Sequence, residues 1–171
     1  MPDHAHVTTE TDIAHDFQAL VGRAEHSIEV QLPFIRRRRP DDEVLPVCVK
    51  HLDLERCLRL GAIIASVADG LDEPLGIVAS SDMTHYRPDD VARDQDHRAI
   101  EAALSRSPEA LYETVHREGI TMCGVVPATI ALAAANRMGA TDAHLVAYAT
   151  SGETSGDFSS VVGYAGICIH R

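Results

Sequence analysis

The chain has 171 residues, of which 45% are apolar, so it is long enough to form one domain with a hydrophobic core. Its formal net charge is -11, from 15 basic and 26 acidic side chains, which argues against nucleic-acid binding because that function needs a basic surface. The chain starts without a basic region followed by an apolar run, and no apolar stretch could span a bilayer. We therefore expect a cytoplasmic protein without membrane contact.

The order of predicted elements indicates an α/β fold. Residues 1–20 are polar and read as a tail or a short helix, ahead of a single domain over residues 21–171. Apolar and β-branched runs predict strands, and apolar residues at helical spacing predict helices. The strands are expected at 44–49, 75–80, 144–148 and 160–169, and the helices at 53–68, 89–104, 107–116 and 127–138. Alternation of the two types predicts a mixed, mostly parallel sheet flanked by helices.

Asp82 and His85 are the first candidate functional residues. They follow the predicted strand over 75–80, and in parallel α/β sheets ligands gather beyond the carboxyl ends of strands. An aspartate three residues before a histidine can hold the imidazole in one tautomer, and the histidine could then move a proton. The alternative is a turn cap beside a surface histidine.

His26 and Cys123 are the other candidates. His26 lies between two glutamates, and a carboxylate on its second ring nitrogen would suit a metal ligand, although the pattern taken alone favours a structural core or surface histidine. Cys123 precedes a predicted helix, whose N-terminus favours a thiolate, a nucleophile and metal ligand. It could instead be a small buried residue.

Cys48 and Cys168 lie in predicted strands and are expected to pack in the core, whereas Cys57 has no evident role.

The same residue types are also those of two kinds of hydrolase. A serine hydrolase is disfavoured because the chain has no Gly-x-Ser-x-Gly motif. A cysteine hydrolase that uses Cys123 with His85 stays open as an alternative.

Four segments, taken together, resemble the Memo family, whose prokaryotic members are called AmmeMemoRadiSam system protein B. They are residues 25–34 (EHSIEVQLPF), residues 77–86 (IVASSDMTHY), residues 122–124 (MCG) with Pro127, and residues 160–166 (SVVGYAG). Their order agrees with the family from about residue 20 to the last residue.

The resemblance implies a fold and a chemistry. The family is similar to class III extradiol dioxygenases, so a LigB-like α/β domain with a metal pocket at a sheet edge is implied. His26 and Cys123 would then be metal ligands, and His85 would be the acid/base histidine with Asp82 beside it. Fe(II) or copper is the implied ion. A radical S-adenosylmethionine protein and an AMMECR1-type protein are the implied system partners.

One family feature is not found in this sequence. Members carry an early Pro-His-Ala-Gly-type motif whose histidine is a further ligand, and none precedes His26, so the chain looks N-terminally shortened. Because a metal site normally needs three or four protein ligands, either His85 or histidines of the N-terminal tail would have to complete the site, or the site would stay empty. Oligomerisation could cover a sheet edge left by a missing strand.

These observations favour two functions of different classes. The first is a metal-dependent, dioxygenase-like oxidoreductase acting on an unidentified small molecule. The second is a non-catalytic protein- or peptide-binding module that retains the fold.

Overall fold

The computed structural model describes residues 26–171, so the predicted tail over residues 1–20 lies outside the described part. The chain divides after Cys48 into two compact units. In the first unit, two short helices are described, α1 (His26–Glu29) and α2 (Leu32–Arg38). Proline at the start of α2 suits the first helical turn, where no backbone N–H is required.

The second unit contains five helices and three strands among the described residues. In chain order they are α3 (Leu54–Ala68), β1 (His85–Arg87), α4 (Asp89–Leu104), α5 (Pro108–Glu118), α6 (Val125–Arg137), β2 (Asp142–Thr150), α7 (Gly152–Ser155) and β3 (Val161–His170). The four predicted helices are therefore confirmed, with ends that shift by no more than two residues. The two C-terminal strands are also confirmed: β2 is longer than predicted, and β3 is shifted by one residue.

Local capping explains why the helices begin and end where they do. The Asp53 side chain accepts a hydrogen bond from the Arg56 backbone N–H at 2.9 Å at the start of α3. Ser107 Oγ does the same for the Ala110 N–H at 3.0 Å, ahead of Pro108 in the first turn of α5. Gly119 follows α5 with φ of 65°, the left-handed conformation that terminates many helices. These signals are local, so sequence reasoning could detect them.

The predicted mostly parallel sheet is wrong for the described residues. The sheet has three strands in the order β1-β3-β2, and both pairs are antiparallel. Residues 44–49 and 75–80 form no strand. Apolar runs predict extended backbone, but a strand also requires a neighbouring backbone to pair with, and a local pattern does not show whether one is present. In these two runs, Val47 and Val78 are 64% and 62% exposed.

The core of the second unit lies between helices α4, α5 and α6 and the inner face of β3. Its fully or nearly fully buried members include Met83, Ile100, Leu111, Val115, Ile120 and Leu132. Helix α3 packs on α6 at close range. The glycine at position 61 permits this approach, because a Cβ there would lie only 2.7 Å from Ala133 Cβ. Met83 is part of this core, so the polar residues on either side of it are anchored to a well-packed region.

Candidate metal centre

Asp82 and His85 lie where the extended segment that precedes β1 reaches the sheet. The Met83 N–H donates to the Gly163 carbonyl at 2.9 Å, and the Gly163 N–H donates to the Thr84 carbonyl at 2.9 Å. His85 begins β1 and is paired with Val162 of β3. The two candidate side chains are therefore held by backbone hydrogen bonds to β3.

Cys123 lies in the loop just before α6, where the sequence predicted a helix N-terminus. Its neighbour Gly124 is the N-cap of α6, and the Gly124 N–H donates to Ser81 Oγ at 2.8 Å. A Cβ on Gly124 would lie 2.5 Å from both the Ser80 carbonyl oxygen and Ser81 Cβ. Glycine is therefore needed here, because the loop before α6 docks directly on the loop that carries Asp82.

This docking brings three metal-ligating side chains together. One donor atom each from Asp82, His85 and Cys123 lies within 4.8 Å of the other two, and these residues form the one such group found among residues 26–171. His85 Nε2 is 3.4 Å from Asp82 Oδ2, and the Asp82 backbone N–H donates to Cys123 Sγ at 3.2 Å. The His85 side chain is 22% exposed and that of Asp82 is 47% exposed, so the group is open to solvent on one side.

The hydrogen bonds of His85 define its tautomer. Nδ1 lies 2.7 Å from the Thr121 carbonyl oxygen, which can only accept, so Nδ1 carries the proton. In the neutral imidazole, Nε2 then presents its lone pair on the side of Asp82 and Cys123. A ligating histidine in a metal site usually donates its other ring N–H to a carbonyl or carboxylate in this way.

A buried carboxylate, which sequence reasoning missed, binds the backbone between Asp82 and His85. Asp96 of α4 is fully buried and accepts hydrogen bonds from the Thr84 N–H at 2.8 Å and from the Tyr148 hydroxyl at 2.7 Å. Burial and the hydrogen bond to Asp96 raise the pKa of the Tyr148 phenol well above its usual value. The sequence did contain a signal for Asp96. It lies at helical spacing from Ala92, Ala99 and Ala103, so a carboxyl group is placed on the apolar face of α4.

Thr121 directly precedes the MCG segment and had no predicted role. Its hydroxyl oxygen accepts from the His85 backbone N–H at 2.7 Å, and its carbonyl binds the ring of the same residue. Nothing in the local sequence pattern links two residues that are 36 positions apart.

His26 begins α1 in the first unit. Its side chain is 82% exposed, and Nδ1 lies 3.6 Å from Glu29 Oε2, one of the flanking glutamates noted in the sequence. The proposed role of His26 as a metal ligand stays a prediction.

The other cysteines differ from expectation. Cys48 and Cys168 are exposed, so the prediction that they pack in the core is wrong. Strand alternation explains Cys168, because it lies on the outward face of β3. Cys57 is fully buried on α3, and burial raises the pKa of its thiol.

No helix within residues 26–171 is both long and apolar enough to cross a membrane.

Comparison with known proteins agrees with the motifs. The family model described as "Memo-like protein" matches residues 4–168. A MEMO1 family protein of Methanosarcina barkeri is 41% identical over 155 residues, which is 90% of this chain and 58% of the relative. For relatives in Methanopyrus kandleri and Aquifex aeolicus the identity is 42%, over 86% and 84% of this chain and 52% and 53% of theirs.

The chain thus spans a little more than half the length of the curated relatives that it matches. The family model covers nearly the whole chain, and it includes all four segments that carry the resemblance. The chain belongs to the Memo-like protein family.

Proposed function

We propose that this chain carries a mononuclear non-haem metal site and acts as a dioxygenase-like oxidoreductase. The observation that supports the proposal is the convergence of Asp82, His85 and Cys123, whose donor atoms lie within 4.8 Å of one another. Fe(II) or copper is the proposed ion, as the family resemblance implies.

The donor set fits such an ion. Imidazole nitrogen suits iron and copper, thiolate sulfur suits copper and iron, and a carboxylate oxygen adds negative charge. His85 Nε2 is available because Nδ1 donates to Thr121, and Cys123 Sγ already receives the Asp82 N–H at 3.2 Å. Three protein donors on one side leave the solvent-facing side for a substrate, the arrangement typical of catalytic rather than structural sites.

His26 is proposed as a further ligand, as in the family. With His26 and Cys123 as ligands, His85 would be free to move a proton at Nε2, and Asp82 at 3.4 Å would hold the imidazole that results. With His85 itself as a ligand, Asp82 becomes either the third donor or the proton acceptor. A bound metal would supply Lewis-acid and one-electron chemistry to a substrate, whereas Asp82 and His85 bind, orient and carry protons.

Metal binding by the purified protein tests the proposal. After anaerobic loading with Fe(II) and gel filtration, the wild-type chain should retain one equivalent, and Cys123→Ala should lose it because Cys123 is a ligand in both proposed sets. His85→Ala should lose the metal if His85 is a ligand and should retain it if His85 only moves a proton. His97→Ala is the matched control, because His97 is an exposed histidine of α4 that pairs with Glu101 at 3.2 Å, away from the site. If the wild type retains no Fe(II) and no copper, or if Cys123→Ala retains as much as the wild type, the proposal fails.

Loss of metal in His26→Ala would separate the two ligand sets. If His26 is a ligand, its substitution should reduce affinity as much as that of Cys123, and Asp82→Asn should leave affinity nearly unchanged. If Asp82 is the third donor instead, Asp82→Asn should reduce the metal affinity as much as the substitution of Cys123 does, and His26→Ala should leave it nearly unchanged.

A second function, a protein- or peptide-binding module, is favoured by an apolar cleft in the second unit. The cleft has a volume of about 800 Å³ and lies between residues 71–77 and the apolar sides of α6 and β3. Its walls include Met83, Leu132 and Ile167. The proposed partners are the radical S-adenosylmethionine and AMMECR1-type proteins of the system. Equal binding of such a partner by the wild type and by a His26/His85/Cys123 triple variant would favour this module over the enzyme.

A further inference from the structure

The outward face of the β2–β3 hairpin carries a second group of metal-ligating side chains. Directly paired residues of antiparallel strands share a face, and the pairing places His144 opposite Cys168 and Asp142 opposite His170. All four residues are exposed. An imidazole pair, a thiol and a carboxylate are thus gathered on one face of the hairpin, on two pairs separated by the pair Ala143–Ile169.

The two imidazoles are in contact. The rings of His144 and His170 are packed edge to face, with centroids 5.4 Å apart. Cys168 lies directly across from His144 and two residues before His170, so its Cβ is about 4.5–5.5 Å from that of His144. Donor atoms around a tetrahedral zinc ion are about 3.3–3.6 Å apart, a spacing that cross-strand neighbours of this length can reach.

The hydrogen bond of the His170 ring adds a geometric observation. Its Nδ1 lies 2.7 Å from a main-chain oxygen of Arg171, so Nδ1 donates to it, and in the neutral imidazole Nε2 presents a lone pair. This is the same arrangement of ring nitrogens that His85 shows in the first site, and it prepares the imidazole for a metal ion.

From these relationships we infer that His144, Cys168 and His170 form a second metal site, which takes a thiophilic borderline ion of the zinc class. Two imidazoles and a thiolate prefer such an ion over magnesium or calcium, and Asp142 or water can supply a fourth ligand. Among residues 26–171, only the first site has three donor atoms within 4.8 Å, so the hairpin side chains must rotate as the ion binds. That rotation is cheap for exposed side chains, and the site is weaker than a rigid structural zinc site.

Cobalt(II) is the probe for this site, because a thiolate ligand gives an intense near-ultraviolet charge-transfer absorption. The Cys123→Ser variant removes the thiolate of the first site, and we expect it to bind cobalt with the thiolate absorption and to release it to zinc. In this background, Cys168→Ser should abolish the absorption. His170→Ala and His144→Ala should each weaken binding by at least 10-fold.

His97→Ala, in the same background, is the matched control and should leave the affinity unchanged. Thermal unfolding of each variant would check that the hairpin stays folded, and these exposed substitutions should change it little. The inference is overturned if Cys123→Ser shows no thiolate absorption with cobalt, or if the absorption survives Cys168→Ser. Neither result bears on the first site, whose iron binding is measured separately through Cys123→Ala.

Discussion

Thr121 accepts two hydrogen bonds from His85, one from its backbone N–H and one from its ring. Its hydroxyl accepts the His85 backbone N–H at 2.7 Å, and its carbonyl accepts the ring Nδ1–H at the same distance. One residue of the loop before α6 therefore sets the position of the histidine backbone, the orientation of the ring and the tautomer. Cys123, two residues further along, is carried by the same loop, so imidazole and thiol are positioned together.

Removing the Thr121 hydroxyl should weaken metal binding without removing a ligand. In Thr121→Val the carbonyl bond to the ring stays, but the His85 N–H loses its partner and the start of β1 loosens. We expect the dissociation constant for the metal at the Cys123 site to rise by about 10-fold, the lower end of losses seen when groups that orient ligands are removed. Isothermal titration would measure it, with Thr121→Ser as the control that keeps the hydroxyl. Equal affinity of Thr121→Val and the wild type would contradict this role.

Asp96 should contribute to stability through two buried hydrogen bonds. Asp96→Ala leaves the Thr84 N–H and the Tyr148 hydroxyl without their acceptor, which should lower the free energy of unfolding by about 2–4 kcal/mol. Asp96→Asn can still accept from Thr84 and can donate to the Tyr148 oxygen, so its cost should be roughly 1 kcal/mol. Urea unfolding would measure both. A similar loss in the two variants would show that charge, rather than hydrogen bonding, is what the site requires.

Gly163 should be intolerant of any side chain. A Cβ at this position of β3 would overlap the Asp96 carboxylate and approach the Tyr148 hydroxyl to 3.1 Å. We expect Gly163→Ala to lower the free energy of unfolding by about 1–3 kcal/mol, the usual cost of overpacking. Gly166→Ala, on the same strand, is the control, because its Cβ would meet nothing closer than Val146 Cβ at 3.8 Å. Chemical denaturation would measure the free energy of unfolding of both variants. Equal values for Gly163→Ala and Gly166→Ala would contradict the prediction.

The raised pKa of Tyr148 predicts a loss of stability in alkali. In the unfolded chain the phenol loses its proton near pH 10, whereas in the folded protein burial and Asp96 keep it protonated to higher pH. The stabilising contribution is therefore complete below about pH 10 and is lost as pH rises through the folded-state pKa. The free energy of unfolding should therefore fall in the wild type as the pH rises from about 8 to about 11, a range that brackets the pKa of about 10 of a free phenol. It should fall less over the same range in Tyr148→Phe. Parallel curves for the two proteins would contradict the assignment.

The sequence by itself determined the helices, the candidate residues and the family. Helix α3 could be read from Asp53 and the spacing of its apolar residues, because capping and periodicity act within a few positions along the chain. Asp82, His85 and Cys123 could be singled out because imidazole, carboxylate and thiol next to turns are the groups that bind metals. The order of the four motifs was enough to indicate the family.

Only the tertiary structure decided how those parts meet. Strand pairing depends on distant backbone, so an apolar run such as residues 75–80 predicted a strand that is not formed, and the antiparallel sheet could not be derived from local pattern. The role of Thr121 rests on contacts across 36 positions, and that of Asp96 on burial against β3. Period-two alternation places Cys168 and His170 on the same face of β3. Which face of the strand meets the core is set by tertiary packing, and in this fold the face that carries these two residues is exposed to solvent.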